Sequence, residues 1–160
     1  MKFYIKTYGC TANKADESLI KGILIKNNHK IVSKTDDAEI IIVLTCTVIN
    51  TTEQKIISKL KKYKETGKKI IVAGCMASVQ TEKIKEFLPN AKFLPTQYSH
   101  HIIDLNDNKK TVFNEENKTV FPKKYSDIIA PISISEGCMF NCSYCITTLA
   151  RGNLRSFPIS

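Results

Sequence analysis

Arginine is nearly absent from this chain. Of its 24 basic residues only Arg151 and Arg155 are arginine, and the other 22 are lysine. The formal net charge of +9 is therefore mostly ammonium. Lysine-rich helix faces explain such a charge as well as an acidic partner does, with nucleic acid the first partner to consider. No apolar run is long enough to cross a bilayer. The longest, Ile40–Leu44, is interrupted by Thr45 and Thr47, whereas a spanning helix needs about 20 apolar residues. The amino terminus, M-K-F-Y-I-K-T-Y-G-C, has neither the apolar core nor the small-residue cleavage site of a signal peptide. A cytoplasmic location without membrane attachment is expected. No G-x-G-x-x-G or G-x4-G-K-[ST] occurs, which removes the common phosphate-loop readings of Gly9 and Gly74. No internal repeat is visible.

Six cysteines stand against these absences. Disulfides are rare in the cytoplasm, so the cysteines point to metal binding or thiol chemistry. Cys138, Cys142 and Cys145 form C-x3-C-x2-C within E-G-C-M-F-N-C-S-Y-C. Three thiolates on one loop hold three irons of a cubane cluster and leave the fourth open to a substrate or cofactor. Zinc is the competing reading. It normally takes four ligands, and the fifteen residues after Cys145 contain no further Cys or His. Unliganded thiols are the third reading. The scarce arginines both fall just after this loop, in A-R-G-N-L-R-S. Guanidinium forks suit a carboxylate or phosphate, so the pair is a candidate for a specific anion or for structural ion pairs.

The first hundred residues read as alternating strands and helices. Strands are expected at Lys2–Tyr8, His29–Ser33, Glu39–Leu44, Lys69–Ala73 and Ala91–Leu94. The Glu39–Leu44 run holds four consecutive β-branched residues, Ile40–Val43, as in a central strand buried on both faces. Helices are expected from a capping-box-like Asn13-x-x-Asp16, with an apolar stripe of Leu19, Ile20, Ile23 and Leu24, and from Thr51-x-x-Gln54 to Gly67. A third helix is expected over Val79–Leu88 and a short one over Thr96–Leu105. This alternation predicts an α/β fold with a doubly wound parallel sheet. Cys10, Cys46 and Cys75 then each lie just past the carboxyl end of a strand, the edge where open α/β sheets bind ligands. A second three-thiolate cluster, zinc, and buried structural cysteines are the three readings of this set. Gly9 and Gly74 precede two of the cysteines, as expected where backbone turns sharply or approaches closely.

Residues 106–127 are polar and turn-rich, with two Val-Phe pairs that could form a small hairpin, and read as a linker. Ile128–Ser135 reads as the first strand of a new domain with the cysteine loop at its carboxyl end. The expected organisation is 1–105, a 106–127 linker, and 128–160 as the start of a second, incomplete domain.

The C-x3-C-x2-C run resembles the radical S-adenosylmethionine (SAM) signature. Together with Y-G-C-T-A-N-K-A-D-E-S, T-C-T-V-I-N-T-T-E-Q and V-A-G-C-M-A, the chain resembles the radical SAM methylthiotransferase family. The resemblance implies two [4Fe–4S] clusters, one on Cys138, Cys142 and Cys145 that cleaves SAM, and an auxiliary one on Cys10, Cys46 and Cys75. Tyr144, before the third cysteine, would pack on SAM, with an ordinary core tyrosine as the competing reading. Arg151 and Arg155 complete the candidate cofactor contacts. Y-G-C-T-A-N-K-A-D-E-S and L-A-R-G-N-L-R-S look most like the archaeal and eukaryotic branch, which implies methylthiolation of threonylcarbamoyl-adenosine beside the tRNA anticodon. Isopentenyl-adenosine in tRNA and a ribosomal-protein aspartate are the runner-up substrates, and a non-catalytic iron–sulfur carrier is the runner-up function. A zinc-stabilised RNA-binding domain would also suit the basic charge. The implied partners are tRNA and a flavodoxin or ferredoxin as electron donor. The family's SAM domain is a partial β/α barrel several times longer than the residues after Pro131, so this chain alone is expected not to turn over.

Overall fold

The computed structural model describes residues 1–48, 50–107, 109, 116–125, 128–140 and 142–158. Five parallel strands form its centre: β1 (Lys2–Thr7), β2 (Lys30–Val32), β3 (Ile40–Thr45), β4 (Lys69–Gly74) and β5 (Lys92–Leu94), in the order β2-β1-β3-β4-β5. Every residue of β3 is buried, as its run of apolar residues from Ile40 to Leu44 requires. Successive side chains of a strand point to opposite faces. Ile40, Ile42 and Leu44 accordingly pack with Leu19, Ile20 and Leu24 of α1 (Thr11–Lys26). Ile41 and Val43 pack on the other face with Ile56 and Leu60 of α2 (Asn50–Lys64). Helices therefore cover both faces. Each fully buried isoleucine is worth roughly 1.5–3 kcal/mol of hydrophobic transfer, so β3 and its two helical partners anchor the fold.

The helix boundaries depart from expectation in informative ways. Helix α1 begins at Thr11 with Cys10 as its N-cap, and no side chain caps it. Asn13 lies inside the first turn rather than at the start, because its amide is engaged elsewhere. The chain leaves α1 through Asn28, whose φ of 60° is the left-handed conformation asparagine tolerates at helix ends. The expected Val79–Leu88 helix is instead two short ones, α3 (Cys75–Val79) and α4 (Thr81–Lys85). They break at Gln80, which is non-helical (φ −130°, ψ 27°) and donates its amide to Glu53 Oε2 at 3.0 Å. The Thr96–Leu105 helix is a kinked 3-10 stretch (Thr96–His101) continuing into α5 (Ile102–Asn106).

Beyond α5 the first Val-Phe pair lies outside the described residues. The second forms no hairpin: Val120 ends a 3-10 turn (Lys118–Val120), and Phe121 stacks on His100 with ring centroids 5.2 Å apart. Lys124 N donates to Ser18 O at 2.8 Å, so the described part of this segment is fastened to α1.

The expected Ile128–Ser135 strand is corrected. From 128 to 134 no residue is in a strand, and Ile128, Ile129, Ile132 and Ile134 are all exposed. β-branched content makes a strand only where a neighbouring strand completes the ladder. Here that happens only at β6 (Ser135–Glu136), paired antiparallel with β7 (Arg155–Ser156). The cysteine loop and α6 (Thr147–Arg151) lie between them.

Candidate metal centre

Strands β1, β3 and β4 are neighbours, in the register Thr7↔Leu44↔Ala73, and Thr45 pairs with Gly74. Cys46 and Cys75 are thus consecutive positions across two adjacent strand ends, and Cys10 follows β1 on the same edge. All six cysteines are free. Cys46 and Cys75 are buried and Cys10 is exposed, so the first triad forms a shallow site open on one side. Gly9 (φ +104°) closes it from below. A Cβ there would stand 2.7 Å from Cys46 Cβ and 3.1 Å from its sulfur, so only glycine lets the Cys10 loop approach Cys46 this closely.

Asn13 ties the loops together. It is fully buried. Its Nδ2 donates to Tyr8 O at 2.7 Å and to Thr45 O at 2.9 Å. Those carbonyls lie two residues before Cys10 and immediately before Cys46. Thr45 adds a tie to the third strand, its hydroxyl donating to Ala73 O (2.6 Å) and accepting from Met76 N (3.2 Å).

The oxygen of Asn13 accepts from Arg151 Nη2 at 2.8 Å. Arg151 also donates to Asp16 Oδ2 at 3.0 Å and lies 3.6 Å from Glu136 Oε1. Lys118 Nζ reaches the same two carboxylates, at 3.4 Å from Asp16 and 2.8 Å from Glu136, and donates to Thr96 O. Arg155 Nη2 sits 3.7 Å from Glu136 Oε2, and its guanidinium lies over the Phe157 ring. Burial pushes the Cys75 thiol pKa up. The charge of Arg151 and its hydrogen bond oppose that shift, while Cys46 and Cys10 add to it.

The second triad is held differently. Cys138 N donates to Gly152 O at 3.1 Å, and Leu154 N donates to Cys138 O at 3.2 Å, pinning the loop's start against the segment after α6. Two backbone amides aim at sulfur: Phe140 N at Cys138 Sγ (3.5 Å) and Thr147 N at Cys145 Sγ (3.4 Å). Hydrogen bonding from Thr147, side chain and backbone, pulls the Cys145 thiol pKa down, as suits a thiolate ligand. Cys142 is exposed. Tyr144 is 90% exposed.

The donor chemistry of both triads fits an iron–sulfur group. Sulfurs around one tetrahedral zinc, bound at about 2.3 Å, stand only about 3.8 Å apart. Among the described residues the only three ligand groups within 4.8 Å of one another are His100, His101 and Glu116, so neither thiol triad is gathered as for one ion.

The sequence-predicted residues thus fall into two sets that share one wall. The two triads are separate, but α6, which follows Cys145 almost directly, packs on α3, which begins at Cys75. Arg151 and Arg155, read from the sequence as cofactor contacts, are engaged by Asp16 and Glu136. Asn13, Asp16, Lys118 and Glu136 were not singled out as site residues. Asn13 and Asp16 have a helix-capping pattern that hides their use, and Lys118 is one of 22 lysines.

Residues 2–95 match the model of the uncharacterized protein family UPF0004. Over 99% of its length the chain is 34% identical to a probable threonylcarbamoyladenosine tRNA methylthiotransferase of Methanocaldococcus jannaschii, covering 38% of that protein. It is 29% identical to the human threonylcarbamoyladenosine tRNA methylthiotransferase, over 99% of the chain and 30% of that protein. Similarity to a tRNA-2-methylthio-N(6)-dimethylallyladenosine synthase of Thermodesulfovibrio yellowstonii is 35%, over 98% of the chain and 39% of that protein. The chain spans about two fifths or less of the length of these relatives. No described helix is long and apolar enough to cross a membrane.

Proposed function

Because the chain belongs to the protein family UPF0004, we propose that it is the amino-terminal part of a radical SAM tRNA methylthiotransferase that modifies C2 of threonylcarbamoyl-adenosine beside the anticodon. The observation that carries this reading is the convergence of Cys10, Cys46 and Cys75 on three adjacent strand ends, with the helix of the second cysteine loop packed on the same edge.

In this reading Cys10, Cys46 and Cys75 hold one [4Fe–4S] cluster, and Cys138, Cys142 and Cys145 hold the other. When bound, the second would supply a radical from SAM and the first a soft sulfur to trap the substrate carbon, because a nucleophile cannot displace an unactivated C–H hydrogen. The protein's part is positional. Gly9, Asn13 and Thr45 fix the three strand-end loops, and the amides of Phe140 and Thr147 stabilise sulfur charge in the second loop. In this reading Tyr144, whose ring is exposed, would pack against SAM. The 35% identity to a dimethylallyladenosine synthase keeps isopentenyl-adenosine as the second substrate reading. The domain limits proposed are 1–105 for the first cluster domain, 106–127 for the connector, and 128–160 for the start of a SAM domain. Location in the cytoplasm and an electron donor of the flavodoxin or ferredoxin kind belong to the same proposal.

SAM separates this function from a plain electron carrier. In the chain with Cys10, Cys46 and Cys75 replaced by alanine, reduced anaerobically, added SAM is expected to change the electron paramagnetic resonance signal of the remaining cluster. The unaltered chain with SAM, reductant and tRNA is expected to form no methylthio-nucleoside. An unchanged signal would favour the carrier reading, and product from this chain alone would overturn the requirement for more protein.

A further inference from the structure

We propose that Glu53 is a positioning residue of the first cysteine triad: its carboxylate ties together the chain segments that leave Cys46 and Cys75, and so sets the separation of those two sulfurs. The inference rests on the reading of Cys10, Cys46 and Cys75 as a cluster site, and it concerns a residue of α2 that lies outside both triads.

Three observations support it. First, one oxygen of Glu53 holds both segments. Its Oε2 accepts from Thr47 Oγ1 and from Gln80 Nε2, each at 3.0 Å. Thr47 is the residue after Cys46, and Gln80 follows α3, the short helix that begins at Cys75. Asn13 and Thr45 join the strands ahead of the cysteines. Glu53 joins the chain after them, so Cys46 and Cys75 are braced from both directions along the chain. Second, the carboxylate is held as a charged group. Its side chain is 10% exposed, and Lys83 Nζ donates to the other oxygen, Oε1, at 2.7 Å. Burial raises the Glu53 pKa, but hydrogen bonds from Lys83, Gln80 and Thr47 and the Lys83 charge outweigh it and bring the group below its ordinary value. Charge-assisted hydrogen bonds are about twice as strong as neutral ones, which lets one side chain fix two loops. Third, local structure is given up for this contact. Gln80 interrupts the helix expected over Val79–Leu88, and its own Oε1 is buried with no hydrogen-bond partner among the described residues. Buried polar atoms are ordinarily paired, so the placement of Gln80 answers to Glu53 rather than to its own helix.

A staple that only ties α2 to α4 would use the same bonds and leave the bound group unaffected. Lys83 separates the two roles, because its bond to Glu53 comes from within α4 and not from the segments that leave the cysteines.

The test uses the full chain with Cys138, Cys142 and Cys145 replaced by alanine, so that only the first triad binds iron. Iron and sulfide content, and the rate at which excess EDTA removes iron anaerobically, are measured for this background and for E53Q, K83M, T47V and T47S within it. Urea midpoints of the iron-free chains are measured alongside. E53Q is expected to lose iron at least about tenfold faster, the size that follows from losing hydrogen bonds to a charged group. T47V, which deletes one tie, is expected to lose it at least about threefold faster, and T47S, which keeps the hydroxyl, to match the parent. K83M is expected to lower the urea midpoint and to keep the iron-loss rate within about twofold. An iron-loss rate in E53Q equal to the parent's, or raised no more than in K83M, would reduce Glu53 to a staple and overturn the inference. If E53Q does not fold, the Thr47 pair decides. A faster T47V with an unchanged T47S supports the positioning role, and an unchanged T47V, or a T47S as fast as T47V, contradicts it. A background chain with Glu53 intact that binds neither iron nor sulfide would overturn the cluster reading itself, and this inference with it.

Discussion

Asp16→Asn is expected to destabilise the metal-free chain by about 3–5 kcal/mol, the usual consequence of removing one partner from a buried ion-pair network. Asp16 is the carboxylate between Lys118 and Arg151, and the side chains of Asp16 and Lys118 are only 7% and 5% exposed. Asparagine fills the same space and still accepts a hydrogen bond, so the loss isolates the charge. Two cations would then share Glu136 with Arg155 in a site with little water. The network also joins elements distant in sequence: α1, the Lys118 turn, β6 and α6. Its loss should therefore loosen the C-terminal segment from the sheet. Urea unfolding under reducing conditions measures the effect as a lowered midpoint at unchanged slope. The surface pair Glu82–Lys85, with Glu82 85% exposed, provides the contrast. E82Q is expected to cost less than about 1 kcal/mol. A similarly small loss for D16N would show that the buried network does not hold the two regions together.

Gly74→Ala is expected to strip the first triad of its iron and leave the second loaded. Gly74 ends β4 at φ +85° and ψ −162°, a conformation reached almost only by glycine. Strain there costs about 1–3 kcal/mol for any other residue. Space is also lacking: a Cβ would stand 2.6 Å from Thr45 O and 2.8 Å from Thr45 N, both backbone atoms of the adjacent strand. The chain can relieve the clash only by moving β4's end away from β3. Cys75 is the next residue and Cys46 follows Thr45, so the two sulfurs would separate. Iron and sulfide should fall by about half relative to the parent chain if each triad holds one four-iron cluster. Full iron in G74A would mean that the Cys46–Cys75 spacing is not what the bound group requires.

Much of the fold was legible because β3 and α1 have strong periodic signals. Ile40–Leu44 is apolar on both faces and must be central, and the Leu19–Ile20–Ile23–Leu24 stripe can pack only as a helix. The convergence of Cys10, Cys46 and Cys75 followed from parallel topology alone, since strand ends share an edge. The signal failed where tertiary contacts outweigh local pattern. Gln80 breaks a helix to reach Glu53, an interaction between residues 27 apart. Ile128–Ile134 has the residues of a strand but gains no ladder partner. Asn13 and Asp16 look like caps because their residue types suit a helix start. Their use on Tyr8, Thr45, Arg151 and Lys118 depends on groups up to 138 positions away. Arg151 was conspicuous for its scarcity, but proximity in sequence to the second triad concealed its hydrogen bond to Asn13 and ion pair with Asp16 in the first turns of α1.

The most direct test of the account is the iron, zinc and acid-labile sulfide content per chain after anaerobic purification, for the parent and for two triple variants. One replaces Cys10, Cys46 and Cys75 with alanine, and the other Cys138, Cys142 and Cys145. Two independent clusters predict iron with matching sulfide in the parent and about half of each in either variant. Zinc without sulfide in the parent, or complete loss of iron in both variants, would contradict two separate three-thiolate clusters.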